Sequence, residues 1–470
     1  MSSSEYLRHR SMRLKPLVAC FATLLAGAEA SGHAPAPSNQ IVVQNCLDSG
    51  NGSLRAAVQS SGDGDTIDLT QLTCSLITLT SSRIDTTHNL LLRGPGSGLL
   101  TIDGNNNDRI FNQNQAGAQI AIYGMTLQRG YGFLKGGCVY SKGPVLLNDA
   151  VITGCRVYGL AGTSIYEGGG LFADALVFAA DSKIVDNRVY TTLGGAVGGG
   201  LSASGDVVLI NSTISGNRAD SAASSGIAVG GGADIGGELT MQYSTIADNE
   251  VSGLVAGSGI AGGVRAIGPV VMQNSTVSGN TAGASGGLLF YGQGTTTPSL
   301  IQNSTISGNT ALSSIGGFYA HGTLTIANST IAFNTEANSL GAGMRIAYGI
   351  ADVQSSIIAS NTGTAGTINI GEGIGGGISG ANDLIGPSGT TTLPPGTIQS
   401  DPRLLPLANN GGVTKTHELR SDSPAIDAGN NAAGLTNDQR GPGFARVLGA
   451  NADIGAVELD SDVIFGDGFD

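Results

Sequence analysis

Tryptophan is absent from this 470-residue chain, charged residues make up 12% of it and aromatic residues 5%, and only five histidines and five cysteines occur. Each scarcity excludes something. So little Lys and Glu leaves few residues for the solvent faces of helices, which argues against a helical protein. The scattered histidines have no metal-ligand spacing, and no C-x-x-C pair occurs. A net charge of −13 disfavours nucleic acid or an anionic membrane as partner, since both select basic surfaces. Beyond the N-terminus no segment approaches the ~20 apolar residues that a membrane-spanning helix needs. What is abundant is glycine, 76 residues, with Ser, Thr and Asn crowding the middle. The chain is nevertheless 40% apolar, too much for a disordered glycine-rich polymer.

The N-terminus reads as an export signal. Arg8, Arg10, Arg13 and Lys15 precede an apolar run from Leu17 to Ala28, and Ala28-Glu29-Ala30 has the small-x-small form of a cleavage site. We therefore expect residues 1–30 to be removed, which takes away four basic and two acidic residues and moves the net charge from −13 to −15. Leu17-Val18-Ala19-Cys20 matches a lipoprotein box superficially, but the apolar run follows Cys20 instead of preceding it. Cys46, Cys74, Cys138 and Cys155 remain, an even number for an oxidising compartment. Two disulfides are expected; of the three connectivities, Cys46 to Cys74 and Cys138 to Cys155 is favoured.

Self-similarity decides the architecture. A glycine opening a short apolar strand recurs at Gly137, Gly170, Gly200, Gly232, Gly263, Gly287, Gly317 and Gly343. Between these glycines lies a second element, clearest as N-S-T-I-S-G-N at Asn211 to Asn217, whose first position falls at Asp149, Asp181, Asn211, Tyr243, Asn274, Asn303, Asn328 and Ser355. Apolar residues stand four and two before that position, as Val207 and Leu209 do, but three after it, as Ile214 does. Parity on a strand alternates between faces, so a switch from even to odd requires a corner, with one residue in a conformation that Asn tolerates. Six residues on, Asn187, Asn217, Asn249, Asn280, Asn309, Asn334 and Asn361 mark another turn, where amides stacked from coil to coil satisfy one another. The expected fold is all-β, a right-handed parallel β-helix of the pectin-lyase-like kind, with three short strands per turn and eight repeats. A leucine-rich repeat would need an L-x-x-L-x-L frame that is missing.

Against this frame several motifs lose their chemical claim. Gly283-Ala284-Ser285-Gly286-Gly287 spells G-x-S-x-G, but Ser285 lies in the loop before a repeat glycine and not on a nucleophile elbow. Gly371 to Gly376 spells G-x-G-x-x-G without a βαβ context. Asn-Ser-Thr at Asn211, Asn274, Asn303 and Asn328 matches glycosylation acceptors, but its corner placement points to ladder duty. A stronger signal is the residue expected to face outward on the strand after each double glycine: Val139, Phe172, Ser202, Asp234, Arg265, Leu289, Tyr319 and Arg345. Of these, Phe172, Asp234, Arg265, Tyr319 and Arg345 suit a sugar polymer, whose rings stack on aromatics and whose polar groups meet Asp or Arg. Read blandly, the column is a mixed solvent face. A catalytic reading would make Arg265 the base of a uronate β-elimination beside Asp234 and calcium, yet one Asp is a thin calcium site.

Three segments resemble known families. Asn45-Cys46, Gly52-Ser53-Leu54-Arg55, Gly64-Asp65-Thr66-Ile67-Asp68-Leu69 and Leu72-Thr73-Cys74 resemble the CSLREA-type entry region of bacterial exported β-helix proteins. The middle, with G-G-G-L and I-S-G-N elements, is similar to polymorphic outer-membrane protein repeats. Residues 401–459, with Asp401-Pro402, Thr416-His417, Ser423-Pro424-Ala425-Ile426-Asp427-Ala428-Gly429, Asp438-Gln439-Arg440-Gly441 and Asp453-Ile454-Gly455-Ala456-Val457-Glu458, resemble the choice-of-anchor Q domain. The resemblance implies a module following a β-helix, in which Asp427, Asp438, Arg440, Asp453 and Glu458 form a buried polar network. Ile464 to Asp470 resembles the terminal tail of exported proteobacterial proteins.

The organisation expected is a signal peptide over 1–30, a cap and first coils over 31–120, β-helix repeats over 121–380, a C-terminal module over 381–460 and a sorting-like tail over 461–470. Together the readings imply an extracellular or outer-membrane-surface protein of a Gram-negative bacterium, handled by export and sorting machinery. Its expected role is an adhesin-like or glycan-binding rod, without metal or cofactor, that meets an extracellular or cell-surface polysaccharide or a host surface. The alternative is a pectate-lyase-like lyase or a glycoside hydrolase.

Overall fold

A computed structural model describes residues 39–460, apart from residues 161, 163, 225, 254–258, 293–297, 339, 365 and 367. The expected signal peptide and terminal tail lie outside the described residues. Strands from successive coils stack in parallel and in register into a right-handed β-helix. Among the described residues sheet I has 11 strands, one per coil, from Ile84–Thr86 to Ile370–Glu372. Sheet II carries two strands per coil, one on each side of the corner, such as Val207–Ile210 and Thr213–Ser215. Sheet III, from Tyr131–Gly132 to Thr362–Gly363, follows the second turn, and four coils add a strand in sheet IV, from Ile165–Glu167 to Gly259–Ile260.

Two expectations are corrected here. There are about eleven coils instead of eight, because the first ones lack the Asn motif that marks the repeat. From Tyr131 to Gly363 each coil adds a strand of sheet III to the expected three. The missed strand is that of sheet III, whose inward side carries a single apolar residue, Val157, Val189, Ala219, Val251 or Ala282, followed where the strand is longer by a small or polar one such as Thr191 or Ser221, and so has too little hydrophobic periodicity to register.

The corner forms where the parity switch placed it. Asp149, Asp181, Asn211, Tyr243, Asn274, Asn303, Asn328 and Ser355 all have φ between 44° and 50°, the left-handed region. The serine after each corner continues the pattern: Ser212 N–H donates to Ser244 Oγ at 3.1 Å, Ser244 to Ser275 at 3.1 Å and Ser275 to Ser304 at 3.2 Å. At the second turn, Asn217 Nδ2 donates to Asn249 Oδ1 at 3.0 Å, and Asn249 Nδ2 to Asn280 Oδ1 at 2.9 Å. This amide ladder runs from Asn187 to Asn369.

The strand-opening glycine and the ladder Asn turn out to be one device. A Cβ on Gly200 would meet the Asn217 amide at 2.8 Å and Gly232 O at 2.6 Å; on Gly263 it would meet Asn280 at 3.2 Å and Gly287 O at 2.5 Å. The glycine leaves the space into which the amide of its own coil folds. In the first fully motif-bearing coil the glycine position is Cys138 and the ladder position Cys155, and the two form a disulfide. Cys155 N–H then donates to Asn187 Oδ1 at 3.0 Å, so the disulfide begins the ladder. The second expected disulfide, Cys46 to Cys74, also forms.

Inside, residues of like kind stack in columns, among them Val207, Leu239 and Val270, or Leu288, Phe318 and Met344. Their near-complete burial contributes about 1.5–3 kcal/mol each, against the backbone entropy of fixing the coils. At the N-terminal end the helix Leu54–Ser60, capped by Ser53 Oγ accepting from Ala56 N–H at 3.2 Å, seats Leu54, Ala57 and Val58 in the core. The C-terminal segment covers the rod twice. Leu393 packs against the end of the core, and residues 401–459 lie along the flank, on the corner side of sheet II.

Candidate functional site

The outward column of sheet I is read directly from its register: Asp85, Asn112, Tyr140, Phe172, Ser202, Asp234, Arg265, Leu289, Tyr319 and Arg345. The expected Val139 is corrected to Tyr140. Val139 pairs with Leu171 and is fully buried, because Cys138 and not Gly137 is the counterpart of Gly170.

The column divides into two chemically different halves. In the N-terminal half Phe172 lies on the column but is only 1% exposed. Its ring stacks on Tyr140 at 5.6 Å and lies under Lys135 Nζ at 4.0 Å, and Lys135 pairs with Glu167 at 3.3 Å. Phe172 therefore presents no open face, a correction to its expected place on the ligand surface that follows from the sheet IV segment folding beside it. Arg109 donates to Asn112, which donates to Asp85, so this half is closed by its own polar contacts.

In the C-terminal half Asp234 and Arg265 form a fork, Nε to Oδ1 at 2.6 Å and Nη2 to Oδ2 at 3.0 Å. Burial acts to lower the Arg265 pKa, but the hydrogen bond and charge of Asp234 outweigh it and raise the value. This arrangement keeps the guanidinium protonated, the reverse of what an Arg base needs. The carboxylate is occupied as well. Among the described residues no three His, Cys, Asp or Glu side chains converge, so no pair of further carboxylates joins Asp234.

Beyond the fork, Tyr319 and Arg345 are half-exposed and adjacent in register. Three residues that the sequence reading passed over join them. His321 stands 5.2 Å from Tyr291, 5.3 Å from Tyr319 and 4.7 Å from Tyr348, ring centroid to centroid. Sheet I strands run one residue further in these coils, Leu288–Tyr291 and Phe318–His321, so Tyr291 and His321 share the outward parity of Leu289 and Tyr319. That spacing was available in the sequence; Tyr348, at a corner with φ of 54°, was not. Burial raises the Tyr319 pKa, with Arg345 opposing, which keeps the hydroxyl a donor at neutral pH. Arg345 has no acidic partner among the described residues, and its Nε is buried without a hydrogen bond.

The flanking module makes a second enclosed feature. Asn274 Nδ2 donates to Asp438 O at 3.0 Å, Asn303 Nδ2 to Asn437 O at 2.8 Å and Asn328 Nδ2 to Asn430 O at 3.2 Å. These corner amides dock the module, which corrects the ladder duty expected of them. Behind the contacts a groove of about 750 Å³ runs between Thr213, Thr245 and Ser278 on the rod and Leu404, Leu407 and Lys415 on the module. Within the module Arg440 pairs with Asp438 at 2.7 Å and donates to Glu458 O, while Asp453 accepts from the N–H groups of Asp427 and Leu459. The centre is a residue not anticipated, Arg446, fully buried and 2.9 Å from Glu458 Oε2. Arg446 Nε is buried without a hydrogen bond, and Asp427, expected in the buried network, is exposed at its edge, where its Oδ1 accepts from Asn451 N–H at 3.1 Å. Ser285 is likewise structural: it is buried and donates to Leu288 O at 2.8 Å.

His417 ties the module to the rod. Its Nδ1–H donates to Leu405 O at 2.6 Å, so Nε2 accepts from the Ser307 hydroxyl at 2.8 Å. Burial depresses its pKa, with the Leu405 hydrogen bond opposing. A histidine whose folded pKa is lowered stabilises the fold above its unfolded value and loses that contribution below it. Hydrogen-exchange protection across residues 404–417, corrected for the intrinsic pH dependence of exchange, is therefore expected to fall as pH drops below about 6.5, and His417→Ala to abolish the pH step at a cost of about 1–2 kcal/mol.

The segment 134–300 matches the family described as "Right handed beta helix region". No curated protein matches the chain. Among solved structures the chain is similar to one titled "Crystal structure of pectate lyase Pel9A", with 13% sequence identity and a TM-score of 0.42 over 91% of this chain and 98% of that one. In sequence over that segment, and in the coils that continue it on both sides, this is a right-handed parallel β-helix protein.

Proposed function

We propose that the protein is a secreted or surface-displayed rod that binds polysaccharide along the C-terminal half of sheet I, without catalysing its cleavage. One observation carries this reading: Tyr291, Tyr319, His321 and Tyr348 form a half-exposed aromatic surface beside Arg345, whose guanidinium has no acidic partner among the described residues. Aromatic faces stack on pyranose rings, and a free guanidinium forks with a carboxylate or sulfate. In the same proposal the first coils are a CSLREA-type entry region and residues 401–459 an anchor-type module. The setting is the outer-membrane surface of a Gram-negative bacterium, reached through export and sorting machinery. The partner is an extracellular or cell-surface polysaccharide, including one on a host. The lyase alternative would have to work through Arg265 and Asp234, which are engaged with each other.

The test is affinity electrophoresis through gels containing plant and bacterial polysaccharides. Tyr319→Ala combined with Tyr348→Ala is expected to weaken retention about 10- to 100-fold, the equivalent of about 1–3 kcal/mol of stacking. Equal retention of the double variant on every polymer that holds the wild type sinks the proposal. Appearance of unsaturated products in ultraviolet absorbance, lost in Arg265→Ala, would establish the lyase instead.

A further inference from the structure

Sheet III faces a different side of the rod, and its outward face gathers basic and aromatic side chains on a chain of net acidic charge. Arg156, Arg188 and Arg218 occupy one register position in three successive coils. Beside them Tyr158, Tyr190 and Asp220 occupy the next outward position. Tyr131 extends the ring row at 6.1 Å from Tyr158, Tyr190 follows at 5.5 Å, and Phe133 next to Tyr131 is 70% exposed.

Like charges directly opposite each other on neighbouring strands destabilise a sheet. The protein offsets only part of that cost. Asp220 accepts from the Nε of both Arg188 and Arg218, at 2.6 and 2.5 Å, and Arg218 Nη1 reaches Glu250 at 3.1 Å. Among the described residues the Nη groups of Arg188 have no hydrogen-bond partner, its guanidinium lying 5.2 Å from the Tyr190 ring centroid, and exposed Arg156 has no acidic partner. Three guanidiniums against two carboxylates leave one positive charge uncompensated, at Arg156, on a chain of net charge −13. An external anion would compensate it.

We propose that this face binds a linear anionic polysaccharide lying along the rod axis. Coils repeat at about 4.8 Å, a rise close to that of one pyranose in an extended chain, so successive sugars meet successive rungs. The ring row takes the apolar faces of the sugars, and the guanidinium row forks with their charged groups. Both features are required together: rings alone would suit a neutral glycan, and guanidiniums alone any polyanion. The shared chemistry is a charged pyranose chain, with the charge on a uronate carboxylate or a sulfate ester.

The full chain is titrated with polygalacturonate, dextran sulfate, neutral dextran, inorganic polyphosphate and oligothymidylate. The variants are Arg156→Gln and Tyr158→Ser, chosen because neither removes a partner of Asp220, together with the double variant Arg188→Gln, Asp220→Asn, which removes the Arg188–Asp220 pair and leaves Arg218 paired with Glu250. Binding of either charged polysaccharide supports the proposal if each variant weakens it by about fivefold or more, with an unchanged melting temperature and no binding of dextran. Which of the two binds tells carboxylate from sulfate. Tyr319→Ala on sheet I is expected to leave this binding unchanged, which separates it from the surface proposed above. Failure of both charged polysaccharides to bind, indifference to Arg156→Gln, or polyphosphate or oligothymidylate binding as tightly with no effect of Tyr158→Ser would each overturn it.

Discussion

Replacing Asn280 by alanine is expected to cost about 3–5 kcal/mol, far more than an exposed turn residue would. Asn280 Oδ1 accepts from Asn249 Nδ2 at 2.9 Å and from Asn249 N–H at 3.0 Å. Its Nδ2 donates to Ile246 O at 3.1 Å and to Asn309 Oδ1 at 2.9 Å. All four bonds are buried, so truncation strands partners on two neighbouring coils where no water replaces the amide. Contacts in a solenoid are between nearest neighbours, so the loss is expected to be local. Hydrogen exchange should accelerate in the coils around Asn249, Asn280 and Asn309 while the first coils keep their protection. The urea midpoint should fall in proportion. A change below about 1 kcal/mol would mean that the ladder contributes register and not stability. Gly263→Ala tests the same device from the opposite side, because its Cβ would meet Gly287 O at 2.5 Å and the Asn280 amide at 3.2 Å.

The second large effect is expected at Asp383, and it has the opposite sign. Asp383 stands where the serine row ends: its Oδ1 accepts from Ser356 N–H at 3.0 Å, as serine Oγ atoms do from Ser182 to Ser356, but its Oδ2 is buried with no partner. Burial, reinforced by the charge of Asp352 and opposed by the Ser356 hydrogen bond, pushes its pKa up to about 8 from an ordinary 3.8. An acid whose folded pKa is raised holds its proton in the folded state where the unfolded chain has lost it. Stability is therefore greatest below about pH 4 for this group and declines as pH rises towards 8. Asp383→Asn retains the acceptor without the charge. We expect it to stabilise the protein by about 2–4 kcal/mol at pH 9 and by little at pH 4, so that the melting temperature loses much of its alkaline decline. An unchanged alkaline slope in the variant would show that Asp383 is not the responsible group.

Asp383 and His417 thus act on different parts of the C-terminal segment in opposite directions. Alkali weakens the end of the coil stack, where Asp383 must ionise in a buried site. Acid weakens the flank, where burial disfavours the charge that His417 takes on when protonated.

Much of the coil was legible because a parallel β-helix writes its geometry into one dimension. The parity switch at Asn211 could only be a corner, and the recurrence of Asn217, Asn249 and Asn280 could only be useful if those amides met. Neither inference needed a distant contact, since each residue interacts with its equivalent one coil away. The first coils and sheet III stayed hidden for the same reason in reverse. They lack a repeated polar signature, and a strand with one inward apolar residue has no hydrophobic period to detect.

What the sequence determined by itself, then, is the repeat: an all-β rod with turns at the Asn positions, left-handed backbone at the corners, and the two disulfide pairings. The tertiary structure decided which outward residues are surface. Phe172 and Tyr319 sit on the same column, yet the first is covered by Lys135 and Glu167 and the second is open, because neighbouring coils carry excursions of different lengths. It also decided that Asp234 and Arg265 neutralise each other, that corner amides hold the flanking module, and that Arg156, Arg188 and Arg218 form a single stripe. Each of these depends on the lateral register of segments about thirty residues apart, which is set by coil length and packing and not by any local pattern.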